Sequence, residues 1–264
     1  MTFYIGDNMI VLNLDLDNTI IYSYKHDIGV DKINVEMNEG REISFVTART
    51  MDLLKCLNKK VLIVPTTTRT QEQYERIDLQ IGNIEYALVC NGGILLENGI
   101  RNEEWLKKSK TLIKSCAGEL KKACYILENI GYRYFEIRYI EELFVFTKCH
   151  EPENVVMELK KKLDTALVDV FNNGDKVYVV PYNLNKGIAI SRFKKYIKAD
   201  RIIASGDSEF DIPMVKKADI GIVPYGFAET YNIDNVIEMK GNKLFSEEML
   251  SEVMKIIDEE KGLL

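Results

Sequence analysis

Histidine and cysteine are scarce in this chain. Its 264 residues hold two of the first, His26 and His150, and five of the second, Cys56, Cys90, Cys116, Cys124 and Cys149. No two cysteines form a CxxC pair, so no zinc-like ligand cluster can be drawn. Their odd number fits buried thiols in a reducing cytosol better than a disulfide framework. A basic excess is missing too: 35 Lys+Arg face 41 Asp+Glu, a formal net charge of −6. Nucleic acid and anionic membranes both require a basic field, and the balance argues against either as main partner. A small anionic ligand stays open, because a metal ion and a few local cations can offset a weakly acidic average. Long apolar runs are absent, since MIVLNL and VLIVP fall far short of the ~20 residues of a membrane span. The start MTFYIGDNMIVLNLDLDN has no basic n-region followed by an apolar core, so no signal peptide is expected. The glycine-rich strings GxGxxG and GxxxxGK[ST] are also missing, which argues against dinucleotide and P-loop sites. What remains is ordinary globular composition, 46% hydrophobic and 29% charged, enough for about two modest domains. The expectation is a soluble, cytoplasmic protein whose oligomeric state the sequence leaves open.

Short apolar runs alternate with longer amphipathic segments, the pattern of an α/β chain. Buried strands are expected at Met9 to Leu14, Val61 to Val64, Tyr86 to Cys90, Arg201 to Ala204, Ile220 to Val223 and Val236 to Met239. Helices are expected at Ser44 to Leu57, Gln71 to Leu79, Asp211 to Lys217 and Ser246 to about Glu259. Continuous apolar strands suit a parallel sheet covered on both faces. The middle differs. A charged helical stretch from Glu103 to Asn129, broken near Gly118, precedes alternating strands Arg133 to Arg138 and Leu143 to Lys148. A helix opening at Pro152 and running to about Leu163 precedes strands Val168 to Phe171 and Val177 to Val180. This α-β-β-α-β-β order fits a half-exposed antiparallel sheet inserted into the α/β domain. The expected division is 1–91 with 182–264 as one domain and 92–181 as the insert.

Four segments carry chemistry. Asp15-Leu16-Asp17-Asn18-Thr19 follows the strand VLNL, and the carboxyl ends of parallel strands are where open α/β sheets place their sites. Two acids held together repel, so a divalent cation, a shared proton or a phosphoryl group is needed to justify them; exposed turn acids are the plainer alternative. A second acid pair, Asp207 and Asp211 in SGDSEFD, follows strand RIIA. Asp207 faces the same pocket as Asp15 if those strands are neighbours, while Asp211 also suits a helix cap. Pro65-Thr66-Thr67-Thr68-Arg69-Thr70 offers hydroxyls and N–H groups at a strand-to-helix turn, as an anion cradle or a simple N-cap. Lys186, opening the helix IAISRFKKYI, opposes the helix dipole, a local conflict that favours a functional role.

In this order, VLNLDLDNT, VPTTTRT, LNKGIA and SGDSEFDIPM resemble the motifs of the haloacid dehalogenase (HAD) superfamily of phosphohydrolases. The likeness spans nearly the whole chain. The insert, and VCNGGILL at its start, are similar to the type-two cap of Cof-like and sucrose-phosphatase-like members. The resemblance implies a Rossmannoid parallel-sheet core (1–91, 182–264) with an α+β cap (92–181). It implies a magnesium-dependent phosphatase acting on a small phosphomonoester, such as a sugar or related metabolite phosphate. Asp15 would be the nucleophile that forms an aspartyl-phosphate, and Asp17 the acid and base. Thr67 with Thr68, and Lys186, would bind phosphate. Asp207 would hold Mg2+ with the Asp15 carboxylate and the Asp17 carbonyl, with Asp211 and Ser208 behind them. Three departures stand out: Asn18 and Thr68 occupy positions where glycine is usual, and Ile21 to Arg41 is longer than expected. VEMNEGREI in that segment reads as a hairpin beside the site, with a role in substrate contact or none. A phosphomutase of the same superfamily and a non-catalytic phosphoacceptor or binding protein are the alternatives. A receiver module fits less well, because it lacks an inserted cap and carries its acid pair on a different strand from the acceptor.

Overall fold

The computed structural model describes residues 4–5 and 8–262. Its central sheet has five parallel strands in the order Leu62–Pro65, Asn8–Leu14, Arg201–Ser205, Ile220–Val223 and Val236–Glu238. A two-residue strand, Tyr4–Ile5, pairs antiparallel with the start of Asn8–Leu14. Ile10, Val11, Leu12 and Leu14 are all buried, an apolar run interrupted only by the buried Asn13 and expected of a strand covered on both faces. One cover is the helix Phe245–Gly262, whose Met249, Leu250, Val253 and Ile257 form a single stripe. They share a core with Met51, Leu54 and Leu57 of the helix Ala48–Leu57, which is how amphipathic helices bury one face.

The segment Ser44 to Leu57, expected as one helix, divides in two. Arg41–Thr47 is a strand, and the helix begins at Ala48 with the Thr47 hydroxyl accepting from Thr50 N. The run ISFVT is β-branched and aromatic, and it pairs with Lys32–Asn38 through a turn at Glu39 and Gly40, both at positive φ. The hairpin read from VEMNEGREI is therefore present, and Tyr22–Ser23 extends it to three strands. The helix expected over Gln71 to Leu79 stops at Glu75, because Asp78 N turns to the Val35 carbonyl of the hairpin.

The chain forms two compact units: residues through Arg101 together with those from Lys186 onward, and Asn102–Asn185. Strand Ile94–Glu97 pairs back onto Tyr86–Val89, and Ile100–Arg101 pairs in turn onto Ile94–Glu97. They therefore stay with the first unit, and the boundary falls at Asn102 rather than near Gly92. The second unit is a four-stranded antiparallel sheet ordered Arg138–Ile140, Phe144–Lys148, Lys176–Pro181, Val168–Asn173. It is accompanied by helices Glu103–Leu112, Ala117–Glu128 and Pro152–Lys162. The strand expected at Arg133 to Arg138 lies later in the chain. A turn with Glu141 and Glu142 at positive φ sets Ile140 opposite Phe144. Upstream, the Thr147 hydroxyl donates to the carbonyls of Phe135 and Glu136, and the ladder is reduced to an isolated bridge of Arg133 with Cys149.

Candidate active site

Parallel pairing of Leu14 with Ser205 brings two strand ends together, and the acids that follow each strand become neighbours. Asp15 N donates to the Ser205 carbonyl at 2.9 Å, while the chain turns back through Asn18, whose φ is +59°. Asparagine tolerates that left-handed geometry better than most residues, so the departure from glycine there costs the turn little. The same turn delivers Thr19, whose buried hydroxyl lies 2.9 Å from Asp207 Oδ1 and 3.5 Å from Asp15 Oδ2.

Lys186 opens the helix Lys186–Ile197 and is 1% exposed. Its Nζ lies 2.5 Å from Asp15 Oδ1 and 2.6 Å from Asp211 Oδ1. Close approach of two helices makes this reach possible: a Cβ on Gly187 would sit 2.2 Å from the Pro213 carbonyl oxygen. Asp211 is pinned from the other side, its Oδ2 accepting from Asp207 N, Ser208 N and Ser208 Oγ at 3.2, 3.0 and 2.8 Å. Ser208 is thus a cap partner of Asp211. A Cβ on Gly206 would lie 2.2 Å from Asp211 Cγ, so only glycine fits beneath that carboxyl. Gly206→Ala is expected to cost about 1–3 kcal/mol, as overpacking does, and to lower Tm by roughly 3–10 °C. An unchanged melting curve would show that the loop has room that its geometry denies.

Asp15, Asp207 and Asp211 each present an oxygen within 4.8 Å of the others. Burial, then the Asp211 charge, pushes the Asp15 carboxyl well above its usual value despite Lys186. Burial and Asp211 likewise push Asp207 up to about 7, against the lowering pull of Thr19 and Lys186. Burial alone would lower the Lys186 ammonium, but Asp15 and Asp211 override it and hold its pKa above the usual range. Fully ionised, three carboxylates against one ammonium would leave two negative charges in a buried space. Hard oxygen donors with that deficit fit a divalent cation.

The other expected site residues lie differently. The Asp17 side chain, half exposed, does not join the triad; Arg69 grips it with Nε and Nη2 at 2.8 and 2.7 Å. Thr67 is buried at the end of the adjacent strand Leu62–Pro65, with its hydroxyl accepting from Arg69 N at 3.1 Å. Among the described residues, neither Thr67 nor the half-buried Thr68 hydrogen-bonds to the acid cluster. Three residues with no role in the sequence reading prove central to the geometry: Thr19, Arg69 and Glu36. The first two stand inside the quoted strings DLDNT and TTR, where a polar side chain beside the acids was the available signal.

The whole-chain fold is shared with several solved structures. A sucrose-phosphatase from Synechocystis sp. PCC6803 is 13% identical with a TM-score of 0.66, over 95% of this chain and 98% of that one. The HAD subclass IIB sugar phosphatase BT4131 is 15% identical with a TM-score of 0.55, over 94% and 98%. An IMP-nucleotidase from Plasmodium falciparum is 13% identical with a TM-score of 0.54, over 97% of this chain and 69% of that one. No curated protein sequence matches the chain. At the level of sequence families, the profile of the haloacid dehalogenase-like hydrolases matches residues 79–223. That span takes in Lys186, Asp207 and Asp211, and it covers more than half of the chain, which therefore belongs to the haloacid dehalogenase-like hydrolase family.

Proposed function

We propose that this protein is a magnesium-dependent phosphatase of a small phosphomonoester, working through an aspartyl-phosphate. The observation that carries the reading is the buried Asp15–Lys186–Asp211 chain with Asp207 beside it, at the carboxyl ends of two adjacent parallel strands. Family membership and the phosphatases that share the fold support the same chemistry. All these residues belong to the first unit, the proposed catalytic core, and the inserted second unit is the proposed cap.

In this reading Asp15 attacks phosphorus through one carboxylate oxygen. The leaving alkoxide departs with a proton from Asp17, which then takes a proton from the water that hydrolyses the aspartyl-phosphate. Lys186 neutralises phosphoryl charge and aims Asp15, while Thr19 and Ser208 fix the two acid loops. Thr67 and Thr68 present the proposed phosphate-binding turn. Asp15, Asp207 and the Asp17 carbonyl would hold Mg2+, with Asp211 behind them, and the ion would supply charge neutralisation for the phosphoryl group.

Phosphate release from a panel of sugar phosphates, polyol phosphates and nucleoside monophosphates tests the reading. With Mg2+ the best substrate is expected to turn over at least ~100-fold faster than with EDTA. Equal rates in the two conditions, or no release from any member, would overturn it.

A further inference from the structure

The hairpin 32–47 is joined to the catalytic turn through a buried carboxylate. Glu36 is 1% exposed, in a strand of a surface hairpin where a charged residue is expected to face water. The register of the hairpin shifts on both sides of it, between Asn34 and Glu36 and between Glu36 and Met37. Such bulges re-aim side chains, and here the carboxylate is turned inward. Its Oε1 and Oε2 accept from Arg69 Nη1 and Nη2 at 2.8 and 3.0 Å. Ser44 Oγ donates to Oε2 at 2.6 Å, and Arg76 lies 3.4 Å from Oε1. The other edge of the Arg69 guanidinium makes the two-pronged bond to Asp17. One planar group is therefore clamped between two carboxylates, one fixed in the hairpin and one in the catalytic turn.

We infer that Glu36 and Arg69 are positioning residues for Asp17, and that the hairpin is built to hold the proton-transfer carboxylate in place. The inference rests on the proposed phosphatase chemistry and assigns part of the machinery to the long segment after the first motif. A half-exposed aspartate with free rotation would sample several rotamers. Two parallel bonds from Arg69 select one, and Arg69 cannot swing away while Glu36 holds its far edge. Lysine cannot replace that fork, because an ammonium is a point charge without a plane.

The leaving group separates positioning from mere folding. Departure of p-nitrophenolate needs little protonation, whereas an alkoxide needs the full help of the acid, a contribution typically of 10²–10⁴-fold. Glu36→Gln is expected to lower kcat/KM, which reports on formation of the aspartyl-phosphate and not on its hydrolysis, roughly 10–100-fold for an alkyl phosphate and less than about 3-fold for p-nitrophenyl phosphate. Arg69→Lys is expected to show the same bias, and Asp17→Asn a larger one. If Glu36→Gln does not fold cooperatively, Ser44→Ala, which removes one bond to Glu36, is expected to show a weaker bias of the same sign. Equal losses on both substrates in Glu36→Gln and Arg69→Lys, with the bias intact in Asp17→Asn, would overturn the positioning role alone. Wild-type protein inactive on both substrates, or an Asp17→Asn variant without bias, would overturn the underlying reading and this inference with it.

Discussion

Asp15→Asn is expected to lower phosphate release on the best substrate by on the order of 10⁴-fold or more, as removal of a nucleophile does. The amide keeps the size of the side chain, and its oxygen still accepts the bond that Lys186 Nζ now gives Asp15 Oδ1. The variant therefore keeps its packing. What it loses is the anionic oxygen that forms the bond to phosphorus. Lys186 retains its second partner, Asp211 at 2.6 Å, so no buried ammonium is stranded and the protein stays folded. Wild-type protein treated with Mg2+ and a small phosphoryl donor is expected to gain a hydroxylamine-sensitive acyl phosphate when turnover is slow, the donor's leaving group departing as the bond to Asp15 forms; Asp15→Asn is expected to gain none. An Asp15→Asn preparation with undiminished activity would remove Asp15 from the covalent role, whatever the geometry around it.

How much of this was legible beforehand depends on which forces set each feature. The parallel strands could be read because both faces of the sheet are covered, so Val11-Leu12 and Ile202-Ile203 appear as unbroken apolar runs. Given those strands, the meeting of Asp15 with Asp207 follows from one pairing, Leu14 with Ser205. The stretch Ser44 to Thr47 failed for the opposite reason. Its Ile43-Ser44-Phe45-Val46 run satisfies a helical period nearly as well as a strand, and only pairing with Lys32–Asn38 decides it. Glu36 was illegible in principle. Its inward turn comes from a bulge, and its partner Arg69 lies 33 residues away, so no local pattern distinguishes it from the solvated acids nearby. Thr67 marks another limit: a hydroxyl at a strand end reads equally as a phosphate ligand or as a turn-former. Here it accepts a bond from Arg69 N within its own turn.

Asp207→Asn is expected to make the metal-free protein more stable while abolishing phosphate release. Burial and the neighbouring Asp211 charge raise the Asp207 carboxyl from its usual 3.8 to about 7. Between those values the unfolded chain has released the proton and the folded chain still holds it. Folded protein therefore binds more protons, and its stability falls as pH rises through this window. Above about pH 7 the loss is complete. Asparagine cannot ionise, and its oxygen still accepts from Thr19 Oγ1, now 2.9 Å from Asp207 Oδ1. In EDTA the variant should match wild type near pH 4 and exceed it near pH 8. A gain of about 1–2 kcal/mol would raise Tm by roughly 2–8 °C. Saturating Mg2+ should reverse the order. A ligand that binds only the folded state contributes about 2.7 kcal/mol at a hundred times its Kd, and only the intact acid cluster can collect it. A variant that melts below wild type in EDTA at pH 8 would show that Asp207 is held by its hydrogen bonds rather than crowded by charge. A variant stabilised by Mg2+ as much as wild type would show that the ion binds without this carboxylate. The crossing of the two melting curves with and without the ion is the signature of a site whose repulsion is relieved by its own cation.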